Sequence, residues 1–154
     1  MIHTGTRPEL QDRTKSALDA AELRELLPAA LILESLAVRM APRFDAAAIE
    51  RLRRASARLR LTATDPAGAA EAEDEFHGEL VRRCGDARLR AMARSARRAL
   101  LPYRRAAPVG AVHHDEIVDA LERGDNDSAA DRIRASFAVT LARLLAGVER
   151  PMVA

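Results

Sequence analysis

Aspartates at 45, 65, 86 and 125 each stand just ahead of a stretch whose apolar residues recur three and four positions apart. An aspartate so placed accepts hydrogen bonds from the free amides of a first helical turn, so the pattern marks helix starts. The stretches carry the 3.6-residue period: Ile49, Leu52 and Leu59; Phe76, Leu80 and Val81; Leu89, Met92, Ala96 and Leu100; and Ile133, Phe137, Leu141, Leu144 and Leu145. Asp65 is followed by Pro66, a residue suited to the first helical position. Gly85 and Gly124 sit where helices stop, Gly124 after a short helix from Val112 to about Arg123 with Ile117, Val118 and Leu121 on one face. Upstream, Leu23, Leu26, Leu27, Ala30, Leu31 and Leu33 continue the period to Met40, with Pro28 inside. That proline either kinks a long helix or opens a second one. Pro102 stops the helix after Asp86, there or soon after, and the stretch after Asp125 reads as one helix.

Composition agrees. Aromatic residues are 3% of the chain and Trp is absent, so the core must come from Leu, Ala, Ile, Val and Met. Ala, Leu and Arg favour helix, and strand formers are scarce. The expectation is an all-α antiparallel bundle of six or seven helices with short connections. Residues 1–17 read as a polar tail or linker and 18–150 as one helical domain.

Net charge is only +2, and positive and negative residues alternate, so direct DNA binding by this chain is not expected. A single cysteine, Cys84, excludes an internal disulfide and a multi-cysteine metal site, and reads as a small packed residue. No apolar run approaches the ~20 residues of a membrane span, and the polar N-terminus with Pro8 is unlike a signal peptide, so the expected location is cytoplasmic. No nucleophile elbow, phosphate-cradling glycine loop or dinucleotide motif is present.

Polar residues on apolar faces are the candidates for chemistry. Glu73 and His77, four apart, project from one side of a helix, and His77 shares its face with Leu80, Val81 and Cys84. His114 shares a face with Ile117, Val118 and Leu121, whereas His113 is turned about 100° away. A carboxylate and two imidazoles converging inside a bundle could hold a divalent metal. The plainer reading is core histidines satisfied by hydrogen bonds, because Glu-x-x-x-His is common on helices. Arg94, Arg97, Arg98, Arg104 and Arg105 could clamp a carboxylate or simply form a solvated face.

The ordered set of motifs resembles a known family. Glu73-Asp74-Glu75-Phe76-His77, then Leu80 and Cys84-Gly85-Asp86-Ala87-Arg88-Leu89, is similar to the "D-x-x-F-H … l … gN-x-x-L" signature of the FCD effector-binding domain of FadR-subfamily GntR transcription regulators. His114 through Leu121 resembles its "H-x-x-I-x-x-A-I" helix, and Gly124-Asp125 with Ala129 and Ala130 its "G-D-x-x-x-A". Leu33-Glu34 through Ala37 and Met40-Ala41 looks like the family's first long helix, so the likeness runs from about residue 19 to 148.

The resemblance implies a helical bundle around a central pocket and a twofold dimer. It further implies a divalent metal (Zn, Ni or Mn) held by one Asp and three His, and a small carboxylic acid that reaches the metal. Carried over, Glu73 takes the Asp position, His77 and His114 the first two His, and Ser136 stands where the third would fall. Serine is a poor ligand beside imidazole, so the set is incomplete. Ala30 stands where the family has an arginine, and Asp74 is an alternative carboxylate one residue out of register. Ser136, Arg94, Arg97 and Asp74 are candidate effector contacts. A DNA-binding winged helix is expected to be missing, with Thr4-Gly5-Thr6-Arg7 a faint echo of its wing.

The leading reading is a non-catalytic sensor. One competitor is a ligand-free dimerisation or scaffold bundle with a filled core. The other is a hydrolase using metal-activated water, with Glu73 or Asp74 as base.

Overall fold

A computed structural model describes residues 19–107 and 112–149. The proposed tail, the wing-like Thr4–Arg7 and Pro108-Val109-Gly110 lie outside the described residues. Those described form seven helices and no strand: α1 Ala20–Arg39, α2 Ala46–Leu61, α3 Pro66–Arg82, α4 Ala87–Ala106, α5 His114–Glu122, α6 Asn126–Ala135 and α7 Phe137–Val148.

The aspartates do stand at helix starts. Asp45 accepts from the Ala48 amide at 2.8 Å, Asp86 from Arg88 and Leu89 at 2.8 and 3.0 Å, and Asp125 from Ser128 at 3.0 Å. Asp65 is the N-cap of α3 without a side-chain bond, and Pro66 supplies the preset φ of the first turn. A further cap, Asp19, opens α1 by accepting from Ala21 at 2.7 Å. Pro28 lies inside a continuous α1; the carbonyl it leaves without an amide partner belongs to exposed Arg24, where water can serve it. Gly124 has φ +79° and ends α5: its amide reaches Leu121 O at 3.0 Å and the Asp125 amide reaches Ala120 O at 2.9 Å, the paired bonds of a Schellman stop.

One expectation is corrected. The stretch after Asp125 is two helices, α6 and α7, meeting at Ser136. The Ser136 hydroxyl donates to Ile133 O at 2.7 Å, and its amide is shared between Arg132 O at 3.2 Å and Ile133 O at 3.3 Å. The stretch that apolar periodicity alone reads as one helix is thus interrupted at a serine whose side chain bonds back to the preceding turn.

α1 is the spine, packing against α3, α4, α6 and α7, while α2 lies against α3 and α5. Leu23, Leu27, Leu31 and Val38 of α1 join Leu52, Phe76, Leu80, Leu100, Ile117, Leu121, Ile133 and Leu144 in the main core. Cys84 is buried with Ala37, Val81, Leu89 and Ala93, in keeping with a packing role. Polar ties set the spine's ends. Tyr103 donates to Glu22 at 2.6 Å at the start of α1, and the Asn126 amide donates to Val38 O and Ala41 O at its end.

Candidate metal and effector site

Inside the bundle a chain of charged side chains crosses from helix to helix. Each arrives because its position falls on a helix's buried stripe. On α1, Glu34 follows Leu27 and Leu31; on α3, Glu73 and His77 flank Phe76; on α4, Arg97 and Arg104 alternate with Ala93 and Leu100. His113 carries a left-handed φ of 58° as the chain enters α5, which leaves His114 buried and His113 half-buried.

His77 is held from both sides, its Nδ1 2.5 Å from Glu34 Oε1 and its Nε2 3.3 Å from Glu73 Oε1. Arg97 donates to Glu34 Oε2 at 3.0 Å and to the Glu73 backbone carbonyl at 3.4 Å. Arg104 donates to Glu73 Oε1 at 2.9 Å. His114 Nε2 lies 3.2 Å from Glu73 Oε2 without hydrogen-bond geometry, while its ring stacks on Phe76 with centroids 3.9 Å apart. Four buried atoms of this cluster, Glu73 Oε2, His114 Nδ1, Arg97 Nε and Arg104 Nε, have no hydrogen-bond partner.

The electrostatics follow from these contacts. Burial pushes the Glu73 carboxyl up, but His77 and His114 outweigh it and hold the group well below the usual carboxylate range. Glu34 is likewise raised by burial and pulled lower overall by His77 and Arg97. Burial drives the His114 imidazole down against the opposing pull of Glu73, which favours a neutral ring with a free lone pair.

Glu73, His77, Arg104, His114, Ser136 and Thr140 line an enclosed void of about 10 Å³. That is space for one water-sized occupant. The donor chemistry suits a divalent cation: one ligand atom each from Glu73, His77 and His114 lies within 4.8 Å of the others. His77 stands between two carboxylates, its Nδ1 on Glu34 and its Nε2 toward Glu73. A cation held by Glu73 and the two imidazoles would also serve the unpartnered Glu73 Oε2. The carboxylate behind His77 is the outer support that metal-bound imidazoles commonly carry. Arg104 shares Glu73 with such an ion, and Ser136 brings a hydroxyl to the wall in place of a fourth strong ligand.

Not every candidate from the sequence comes together here. Glu73, His77, His114 and Ser136 meet at the void, and Arg97 stands behind it as the partner of Glu34. Arg94 and Asp74 are exposed and line a separate outer cleft between α3 and α4. Glu34 and Thr140 were not picked out as site residues, and Arg104 was picked out only as one of several arginines. The signal for Glu34 and Arg104 was a charged residue in register with an apolar stripe.

The described residues thus form a seven-helix bundle that encloses a buried carboxylate–imidazole cluster. The family is shown by sequence: the FCD domain matches residues 25–138, well over half of the 154 residues, and the chain belongs to that family. FCD domains are regulatory, effector-binding domains. No curated protein and no solved structure matches the chain. Among the described residues, no helix is long and apolar enough to cross a membrane.

Proposed function

We propose that this chain is the sensing part of a GntR/FadR-type transcription regulator, acting as a non-catalytic receptor for a small carboxylic acid. The observation that carries the reading is the buried Glu73–His77–His114 cluster inside an FCD domain. Glu73, His77 and His114 would hold a divalent metal such as zinc, nickel or manganese, which when bound supplies a Lewis-acidic anchor for a carboxylate oxygen. This chain's residues do the rest. Glu34 fixes the His77 ring, Arg104 offers a guanidinium for an anion's second oxygen, and Ser136 and Thr140 give hydroxyls on the facing wall. Effector binding shifts the balance between conformations of the bundle, and through them the pairing of two copies in a dimer.

A second reading has a specific observation behind it. A void of about 10 Å³ admits an ion or a water but no carboxylic acid, so a sensor must open whereas a scaffold need not. One experiment separates the two. Purified chain is incubated with zinc, nickel and manganese, desalted and assayed for metal per chain, beside His77→Ala/His114→Ala. Its melting temperature is then followed with acetate, lactate, succinate and citrate. Near-stoichiometric metal that the double variant loses, with stabilisation by one acid, is the expected result. No metal and no stabilisation would leave the scaffold reading standing.

A further inference from the structure

Outside the central cluster, α3 and α4 leave a cleft of about 270 Å³ lined by Asp74, Gly78, Arg94, Arg97, Arg98 and Leu101. The arginines fall three and four apart on α4, so one helix face brings Arg94 and Arg98 to the cleft with the Nε edge of Arg97, whose terminal nitrogens turn inward. Across from them Gly78 keeps the wall open, since a Cβ added there meets nothing within 4 Å.

These arginines differ from most others in the chain. Arg39, Arg53, Arg58 and Arg60 each reach a carboxylate within 3.3 Å. Arg94 and Arg98, both exposed, have no hydrogen-bonding or ion-pair partner among the described residues. Arg97 is 4% exposed and its Nη1 is paired inward with Glu34 at 3.0 Å, but its Nε has no hydrogen-bond acceptor and lies 3.8 Å from Asp74. Two unpartnered guanidiniums and the Nε edge of Arg97, whose charge is already paired with Glu34, thus face Asp74, and that buried Nε–H has nothing to donate to. An unpaired buried donor is destabilising, and an oxygen anion supplies what it lacks.

We infer that the α3–α4 cleft is a second, peripheral binding site for a small doubly charged oxyanion, a phosphate or a dicarboxylate. One oxygen edge lies between Arg94 and Arg98, and another accepts from Arg97 Nε as Asp74 gives way. The cleft, at about 270 Å³, has ample room for such an ion. The site is separate from the central cluster and does not depend on a metal there. The two share Arg97, whose Nη1 donates to Glu34 at 3.0 Å, and Glu34 holds His77. Occupying either site therefore changes affinity at the other, and by the same factor in both directions.

The test titrates the full chain with inorganic phosphate and, separately, with succinate, at ionic strength held constant with sodium chloride. Binding is read by calorimetry and by the Arg Nε–Hε resonances. Saturable binding is expected, with phosphate and succinate arms deciding which oxyanion fits better. Arg94→Gln/Arg98→Gln should weaken it by about tenfold or more, the loss of one to two charge-assisted contacts. Asp74→Asn should tighten it several-fold by removing the competing carboxylate, roughly one exposed ion pair's worth. These three side chains are exposed, so the fold should survive each change. His114→Gln, which disables the central cluster, should leave binding saturable, so failure there is distinct from failure here. Failure of both anions to saturate, an equal response from chloride alone, or unchanged binding by the double arginine variant would overturn the assignment.

Discussion

The pairing of Glu34 with Arg97 should behave as a buried ion pair whose value lies in being intact. The two side chains are 1% and 4% exposed and meet at 3.0 Å, so solvent screening is slight. Removing one partner leaves a charge stranded in the core, which costs about 3–5 kcal/mol; removing both leaves no stranded charge and costs much less. Glu34→Gln is the gentlest single change, because the amide oxygen can still accept from His77. Arg97→Met keeps most of the arginine's apolar length. Each single variant should lose about 3 kcal/mol or more, and the double variant should fall short of their sum by about 2 kcal/mol. At roughly 2–4 °C per kcal/mol for a domain of this size, each single variant should melt at least about 6–12 °C lower. Urea unfolding at pH 7 measures all four proteins, provided the slope is unchanged across them. Losses that add to within about 0.5 kcal/mol would mean the charges are not coupled, and the account of a pre-oriented His77 would fall with them.

Two glycines should respond in opposite directions to alanine. Gly124→Ala forces a φ of +79° on a residue with a Cβ and should cost about 1 kcal/mol, whereas Gly78→Ala, mid-helix beside open space, should gain about 0.5–1 kcal/mol; urea midpoints decide both. Ser136→His supplies the missing imidazole at the void and should raise zinc affinity about tenfold or more over the parent, read by competition with a chromogenic chelator. The Asp45 carboxyl is held below its usual range by the Ala48 amide and by Arg83. Its stabilising effect is present above the unfolded-state pKa and is lost as pH falls through the folded-state value. Asp45→Asn keeps the cap but not the charge, so its stability deficit at pH 7 should vanish in acid; a deficit constant with pH would contradict this.

The architecture was legible because aspartate caps and apolar spacing pointed the same way at nearly every helix. Where they failed, at Ser136, the helix is interrupted at a side-chain hydroxyl whose bond depends on rotamer and not on residue pattern. The candidate cluster was partly legible: Glu73, His77 and His114 were placed on inward faces by spacing alone. Glu34 and Arg104 sat in plain view on buried stripes, yet a charge on an apolar stripe becomes informative only once its partner on another helix is known. Arg94 and Asp74 stand apart from the void. They are sequence neighbours of buried residues, but one step along a helix turns a side chain about 100°, enough to move both to the outer cleft.

The break between α6 and α7 carries a mechanical consequence. The serine at the joint also lines the void, and its hydroxyl donates to Ile133 O. A change of side chain at this position therefore acts on the joint and on the void's wall together. α7 packs on α1 and α4, the helices that bring Glu34 and Arg104 to the cluster. Ser136 thus ties the wall of an atom-sized hole to the point where a twelve-residue helix begins.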